Sequence, residues 1–368
     1  MSTLVSAGRR RLIGGLAAVL AAALAAGLAP AAQAPASASC AITTTERVVA
    51  IGDVHGGYGQ FQAILRAGGL IDGRRRWTGG RAVFVQTGDV VDRGAESKQA
   101  IDLLRRLERD AARARGRVVP LIGNHETLRM LGDYRYVSEG EYLAFRTSDS
   151  LDLRERLYDL LVSDRKAQAS AAGTEFDERA FRTRFLEEVP VGFVEMQQAF
   201  GPEGEYGKWL RERDAMAIVN GVAFVHGGVS PAVAPLGCAE INARVRAEIG
   251  TVRLTDPASL QTLIAGPDGP LWYRGLVDGS PLLPEDVDAI LQGIGARAIV
   301  VGHTPAAEFR IAVQHDGRVF QIDTGLLDGD FYPGGVPSAL EFKDGGVTAI
   351  YLDRRETLVP PTRPPERP

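Results

Sequence analysis

Four of the five histidines in this 368-residue chain follow an apolar run and sit within two residues of a glycine. They are His55 in GDVHGG, His125 in GNHE, His226 in VHGG and His303 in VGHTP. Acids take equivalent places: Asp53 in GDVHG, and Asp89 and Asp92 in GDVVDRG. Imidazoles and carboxylates exchange protons and ligate cations. A glycine next to them lets the backbone bend tightly and another group come close. Taken singly, each is weak, because a Gly-Asp pair is commonly a turn and a histidine beside glycine is commonly structural. The repetition in equivalent positions carries the signal. His, Asp and Asn124, with no cysteine at metal-site spacing, suit hard or borderline cations such as manganese, iron or zinc. The groups are too many for one ion and fit two ions sharing a bridging carboxylate. Such pairs activate water and clamp phosphoryl oxygens during in-line displacement.

The elements that must position these groups follow from the patterning. RVVAIGD (47–53) predicts a strand leading into the helical run YGQFQAILRAGG. AVFVQTGD (82–89) leads into ESKQAIDLLRRLERDAARARG, where Ile101, Leu104 and Leu107 form one stripe and Gly116 stops the helix. RVVPLIGN is the third strand. This alternation predicts right-handed crossovers between parallel strands, with ligands gathered at their carboxyl ends. MAIV-NG-VAFV (216–225) predicts a hairpin on a type I′ turn. RIAVQHDGRVFQID and ALEFKDGGVTAIYL repeat the pattern with Asp-Gly turns, and His315 falls in the first of these, where solvent exposure is expected. The fold class is therefore α/β, with two mixed β-sheets packed as a sandwich and flanked by helices. Residues 128–215 are charged and helical in pattern, and read as an insertion in a catalytic domain spanning 39–352 and not as a separate domain. Long connections of this kind commonly serve function. Tyr134, Tyr136, Tyr142, Phe145, Phe193 and Trp209 predict an aromatic wall or lid that selects substrate. The Pro-rich tail, 353–368, is expected to be extended and disordered.

The amino terminus has a different composition. Arg9, Arg10 and Arg11 precede an Ala- and Gly-rich apolar stretch and then small residues. This is the layout of a secretory signal peptide over residues 1–38, with cleavage expected after Ala34 or Ala38. The paired arginines also fit a twin-arginine route. The alternative is a retained anchor, for which the stretch, at about 18 residues, is near the lower limit. Export predicts a periplasmic or secreted protein with no stable membrane span after cleavage. In that setting Cys40 and Cys238 suggest one disulfide, the alternatives being two free thiols or a lipid-modified Cys40. A net charge of -4 and a pI near 5.9 argue against nucleic acid as the main partner.

The ordered motifs GDVHG, GDVVDRG, GNHE, HGG and GHT resemble those of the calcineurin-like metallophosphoesterases, in their phosphoprotein phosphatase branch. LGDYRYVS, GPLWYRG and VVGHTP are most similar to the Shewanella-like protein phosphatases. The resemblance runs from about Val48 to Tyr351. It implies that Asp53, His55 and a bridging Asp89 hold one metal, and that Asp89, Asn124, His226 and His303 hold a second. It further implies that Arg93, Asn124 and Arg274 bind phosphate oxygens. His125 is left to protonate the leaving oxygen, with Asp92 orienting it, and Glu126 is read as a local cap or orienter. Expected substrates are phosphoproteins, on phosphoserine, phosphothreonine or phosphotyrosine. Dinucleoside polyphosphates or small phosphomonoesters are the alternative within the same chemistry, and a non-catalytic metal- or phosphate-binding surface protein is the alternative outside it.

Overall fold

Short runs of β-branched and aromatic residues build twelve strands in the computed structural model, which describes residues Cys40–Pro361. The signal-peptide reading lies outside the described residues. The first sheet contains β1 (Ala41–Ile42), β5 (Met216–Val219), β6 (Val222–Val225), β7 (Ala298–Val301), β8 (Ala312–Gln314) and β9 (Val319–Gln321), in the order β1-β5-β6-β7-β9-β8. The second contains β2 (Val48–Ile51), β3 (Val83–Gln86), β4 (Arg117–Pro120), β10 (Ser338–Lys343), β11 (Gly346–Tyr351) and β12 (Arg355–Val359), in the order β12-β11-β10-β2-β3-β4. Both sheets are mixed. β2, β3 and β4 pair in parallel, as do β6, β7 and β9, while β5–β6, β8–β9 and β10–β11 are antiparallel.

Alternation along the strands sends one face of each sheet into a shared core that includes Ala50, Val85, Phe224, Val300, Phe320 and Leu340. The parallel strands are also covered on their other face. Helices α1 (Tyr58–Ala67) and α2 (Ser97–Arg113) form two of the crossovers, and α2 buries Ile101, Leu104 and Leu107 while its charged side faces out. The Asn220-Gly221 turn has φ of 50° and 76°, as a type I′ hairpin requires. No helix among the described residues is long and apolar enough to cross a membrane.

Three expectations are corrected here. The tail is not irregular from residue 353, because β12 pairs antiparallel with β11 and its Leu358 and Val359 pack on the core. Its short apolar end covers what would otherwise be an open sheet edge. His315 is half-buried, and its Nε2 lies 3.0 Å from the Leu276 carbonyl. The third correction concerns the insertion, in which Leu128–Trp209 forms a compact unit of its own. It contains α4 (Glu139–Leu143), α5 (Ser150–Ala172), α6 (Glu178–Glu188) and α7 (Phe193–Phe200). Tyr134, Tyr142, Phe145 and Phe193 are buried within it, and Phe193 packs against Tyr134 and Tyr142 at 5.4 and 5.9 Å between ring centroids. Of the six aromatics expected to form a wall, only Tyr136 is well exposed, at 42%. Four of the others are held where burial gains most, inside the unit's own core, and Trp209 is half-buried. A buried Arg129–Glu141 ion pair at 2.5 Å, with Arg129 over the Phe200 ring, lies in the same core.

Cys40 and Cys238 are joined in a disulfide with Cα atoms 6.2 Å apart. The bond ties β1 to the helix α9 (Gly237–Thr251) across a separation of 198 residues. Closing so long a loop restricts the unfolded chain. Cys238→Ser should therefore lower unfolding free energy by about 2–4 kcal/mol under oxidising conditions. Denaturant titration of both proteins with and without reductant checks this, and the difference should vanish when reductant is present.

Candidate metal centre

The strands β2, β3, β6 and β7 each end in a tight bend that carries a ligand-type side chain. The bends are sharp enough to place non-glycine residues in the left-handed region: His55 at φ 47°, Asp89 at 55°, Asp92 at 73°, Arg93 at 69° and His303 at 63°. Each such residue costs on the order of 1–3 kcal/mol and persists only where its surroundings hold it. Glycines make room. A Cβ at Gly123 would lie 2.2 Å from Asp89 Oδ1, and one at Gly302 would lie 2.5 Å from Asp53 Oδ1. Both carboxylates thus occupy space that any larger residue would fill.

The ring nitrogens show what the arrangement can hold. His226 Nδ1 lies 3.0 Å from the Thr87 carbonyl, which assigns the proton to that nitrogen and a lone pair to Nε2. That Nε2 nevertheless faces Asn124 Oδ1 at 2.9 Å, Asp89 Oδ2 at 3.2 Å and His303 Nδ1 at 3.2 Å. His55 repeats the pattern in part, since Arg93 Nη1 also reaches its Nε2 at 2.6 Å. Its Nδ1 is 3.0 Å from the Val91 carbonyl, and its Nε2 stands 3.6 Å from both Asp53 Oδ2 and Asp89 Oδ2. Acceptors turned towards acceptors repel unless positive charge lies among them. The donor set, all imidazole, carboxylate and amide oxygen, fits divalent or trivalent cations. Asp89, His226 and His303 each place a ligand atom within 4.8 Å of the others, as do His55, Asp89 and His125. Asp89 belongs to both groups, as a bridge must. Asp53 reaches both sides, with Oδ2 towards His55 and Oδ1 accepting from the His303 N–H at 3.0 Å.

The proton affinities reflect the same crowding of charge. Burial disfavours a proton on His226, but the neighbouring Asp89 and Asp53 outweigh it and raise its pKa to about 9, so these carboxylates call for positive charge at Nε2, whether a proton or a cation. His303 is pushed down to about 3 by burial and by His226. Burial penalises the Asp89 carboxylate, yet His226 and His125 hold its pKa well below the ordinary range.

His125 and Arg93 stand beside this cluster. His125 Nδ1 is 2.7 Å from Asp92 Oδ2, which fixes the ring and directs Nε2 towards Arg93 Nη2 at 3.4 Å. Burial pushes the His125 pKa down, while Asp89 and Asp92 push harder upward, so it is raised overall. The guanidinium of Arg93 spans the gap, with Nη1 2.6 Å from His55 Nε2. Arg274 is exposed and is held by the His303 carbonyl at 3.0 Å and Thr304 Oγ1 at 2.8 Å. The structure therefore gathers Asp53, His55, Asp89, Asp92, Arg93, Asn124, His125, His226, His303 and Arg274 at one end of the sandwich.

Glu126 does more than cap its own helix, α3 (Asn124–Met130). Its carboxylate accepts from Gly123 at 2.8 Å and, across the sheet, from the N–H groups of Asp89 at 2.9 Å, Val90 at 2.7 Å and Val91 at 3.2 Å. This one side chain fixes the bend that presents Asp89. Glu126→Ala would strand four buried donors and should cost on the order of 3–5 kcal/mol, with Glu126→Gln in between. Chemical denaturation of the three proteins measures it.

A model of the calcineurin-like phosphoesterases matches residues 46–307 of the chain. The chain belongs to this family. It is a metal-dependent hydrolase of phosphoesters. This phosphoesterase is 30% identical over 312 residues to Shewanella-like protein phosphatase 2 of Arabidopsis thaliana, covering 83% of this chain and 77% of that one. It is 27% identical over 311 residues to Shewanella-like protein phosphatase 1 of Plasmodium berghei, covering 83% and 74%. Among solved structures it is similar to the cold-active protein-tyrosine phosphatase of a psychrophilic Shewanella species, with 26% identity, a TM-score of 0.65 and coverage of 87% and 82%. Two residues of the phosphoesterase site escaped the sequence reading. Asp323 follows β9 and is buried, with burial and Asp53 raising its pKa well above the carboxylate range. Its signal was present in FQIDTG, an acid just after an apolar strand with a glycine two residues on. Tyr332 stacks on His55 at 6.1 Å and lies over Arg93 at 5.2 Å, and nothing in DGDFYPGG announces it.

Proposed function

We propose that this phosphoesterase is an exported phosphatase of phosphoproteins, working with two metal ions. Asp53, His55 and Asp89 would hold one ion, and Asp89, Asn124, His226 and His303 the other, with manganese, iron or zinc as the matching metals. When bound, such a pair supplies an activated water and neutralises charge on the phosphoryl group. The chain's own residues do the rest. Arg93 and Arg274 present forked donors to phosphate oxygens, and the Asn124 amide adds another. His125 gives its Nε2 proton to the departing oxygen of the serine, threonine or tyrosine side chain, while Asp92 on Nδ1 keeps the ring turned and steadies its charge. The observation that carries this reading is the His125–Asp92 contact of 2.7 Å beside Arg93, since it sets an oriented acid next to a guanidinium able to donate hydrogen bonds to phosphate.

Support for export comes from the Cys40–Cys238 bond, a feature of oxidising compartments. Support for phosphoprotein substrates comes from the names of the relatives above. Phosphoserine, phosphothreonine and phosphotyrosine peptides assayed beside dinucleoside polyphosphates, with metal analysis of the same preparation, test the proposal. Higher kcat/KM on one peptide class is expected, and faster turnover of the dinucleotides would replace this reading with the small-substrate one.

A further inference from the structure

Asp323 stands in the same relation to β9 as Asp53 does to β2. It follows the strand after Ile322 and precedes a Thr-Gly bend. The strand ends are pressed together. A Cβ at Gly52 would lie 2.7 Å from the Ile322 carbonyl and 3.4 Å from Asp323 Cα, which puts Asp323 beside the root of Asp53. Its backbone carbonyl accepts from the Ala306 N–H at 2.8 Å, tying it to the loop that follows His303. One side-chain oxygen is used internally, with Oδ1 accepting from the Gly325 N–H at 3.0 Å. The other is not. Asp323 is 1% exposed, and its Oδ2 is buried with no hydrogen-bond partner among the described residues. A buried acceptor left in that state is costly, more so when charged, so something is expected to satisfy it. The charges nearest in influence are those of Asp53, Arg93 and His226, all belonging to the centre.

We propose that Asp323 is a positioning residue of the metal centre, its Oδ2 accepting a hydrogen bond from a water in the coordination shell of the ion held by Asp53 and His55. The inference rests on the two-metal reading above. A carboxylate in this place orients a solvent ligand and adds negative charge beside the ion without ligating it, and such outer partners commonly alter metal affinity by about 10–100-fold. A carboxylate with only a structural role would act differently, because its value would show in the metal-stripped protein. Without an ion, a second acid beside Asp53 is a burden on the fold, since like charges in a buried site disfavour each other.

The test uses the wild-type chain, Asp323→Asn, Asp323→Ser and Asp89→Asn, each stripped with chelator and titrated with manganese(II) in a calorimeter. Melting temperatures of the stripped proteins are recorded in parallel. The expected result is a manganese Kd raised about 10–100-fold in both Asp323 variants, with the stripped Asp323→Asn protein melting no lower than wild type. Unchanged affinity, or a melting temperature lowered in the stripped Asp323→Asn protein, would overturn the proposal in favour of a structural role. A wild-type chain that binds manganese no better than Asp89→Asn would instead bring down the two-metal reading itself, so the two failures are distinguishable.

Discussion

His125→Ala lowers turnover of an alkyl or unactivated aryl phosphate by about 10²–10⁴-fold, the usual contribution of a positioned acid. On nitrophenyl phosphate, whose leaving oxygen needs little help from a proton, the loss is much smaller. Metal content is expected to stay unchanged. These results follow from the ring's geometry, in which Nδ1 is committed to Asp92 and Nε2 faces the Arg93 guanidinium. The alternative is also visible in the structure, because the His125 ring lies within ligand distance of His55 and Asp89. Steady-state kinetics on the two substrate types and metal analysis of the same samples therefore belong together. A fall in metal content that parallels the fall in activity would make His125 a ligand and remove the acid from the mechanism.

Asp89→Asn produces the opposite dissociation of effects. Turnover is expected to fall to near background on every phosphoester, good and poor leaving groups alike, because on the proposed two-metal reading the ions are lost with the charge that bridges them. Asp89 is the one acid common to both ligand groups, and its Oδ2 is 3.6 Å from His55 Nε2 and 3.2 Å from His226 Nε2. The amide keeps Oδ1, which accepts from the His125 N–H at 3.0 Å, so the bend after β3 retains its hydrogen bond. The fold should survive. Elemental analysis after gel filtration and a circular dichroism melt check the two halves of the expectation. Retention of both metals in Asp89→Asn would remove it as the bridge.

Much of the site was legible because its information is local. An apolar run of four residues, a glycine and a histidine or acid occur within one strand and its bend, and period-two patterning with Asn-Gly or Asp-Gly turns reports sheets and hairpins over the same short range. The chemistry of the side chains pointed to metal binding and to the reaction class before any distance was known. Convergence could not be read this way. The contact between the His303 N–H and Asp53 Oδ1 spans 250 residues, and that between His226 and Asn124 spans 102. Both depend on the order in which β2, β3, β6 and β7 are laid into their sheets and on how the two sheets are stacked.

The sequence by itself determined which residues could hold cations and where strands stop, since side-chain chemistry and backbone patterning act at or near each position. Only the tertiary structure decided that Glu126 holds the bend of another strand, that Asp323 joins the cluster and that the insertion turns its aromatics inward. It also decided that the last strand closes the edge of β11. The physical reason is common to all four. Each is a matter of which buried group finds a partner or a core from a distant part of the chain, and burial makes the unpartnered alternatives too costly to persist.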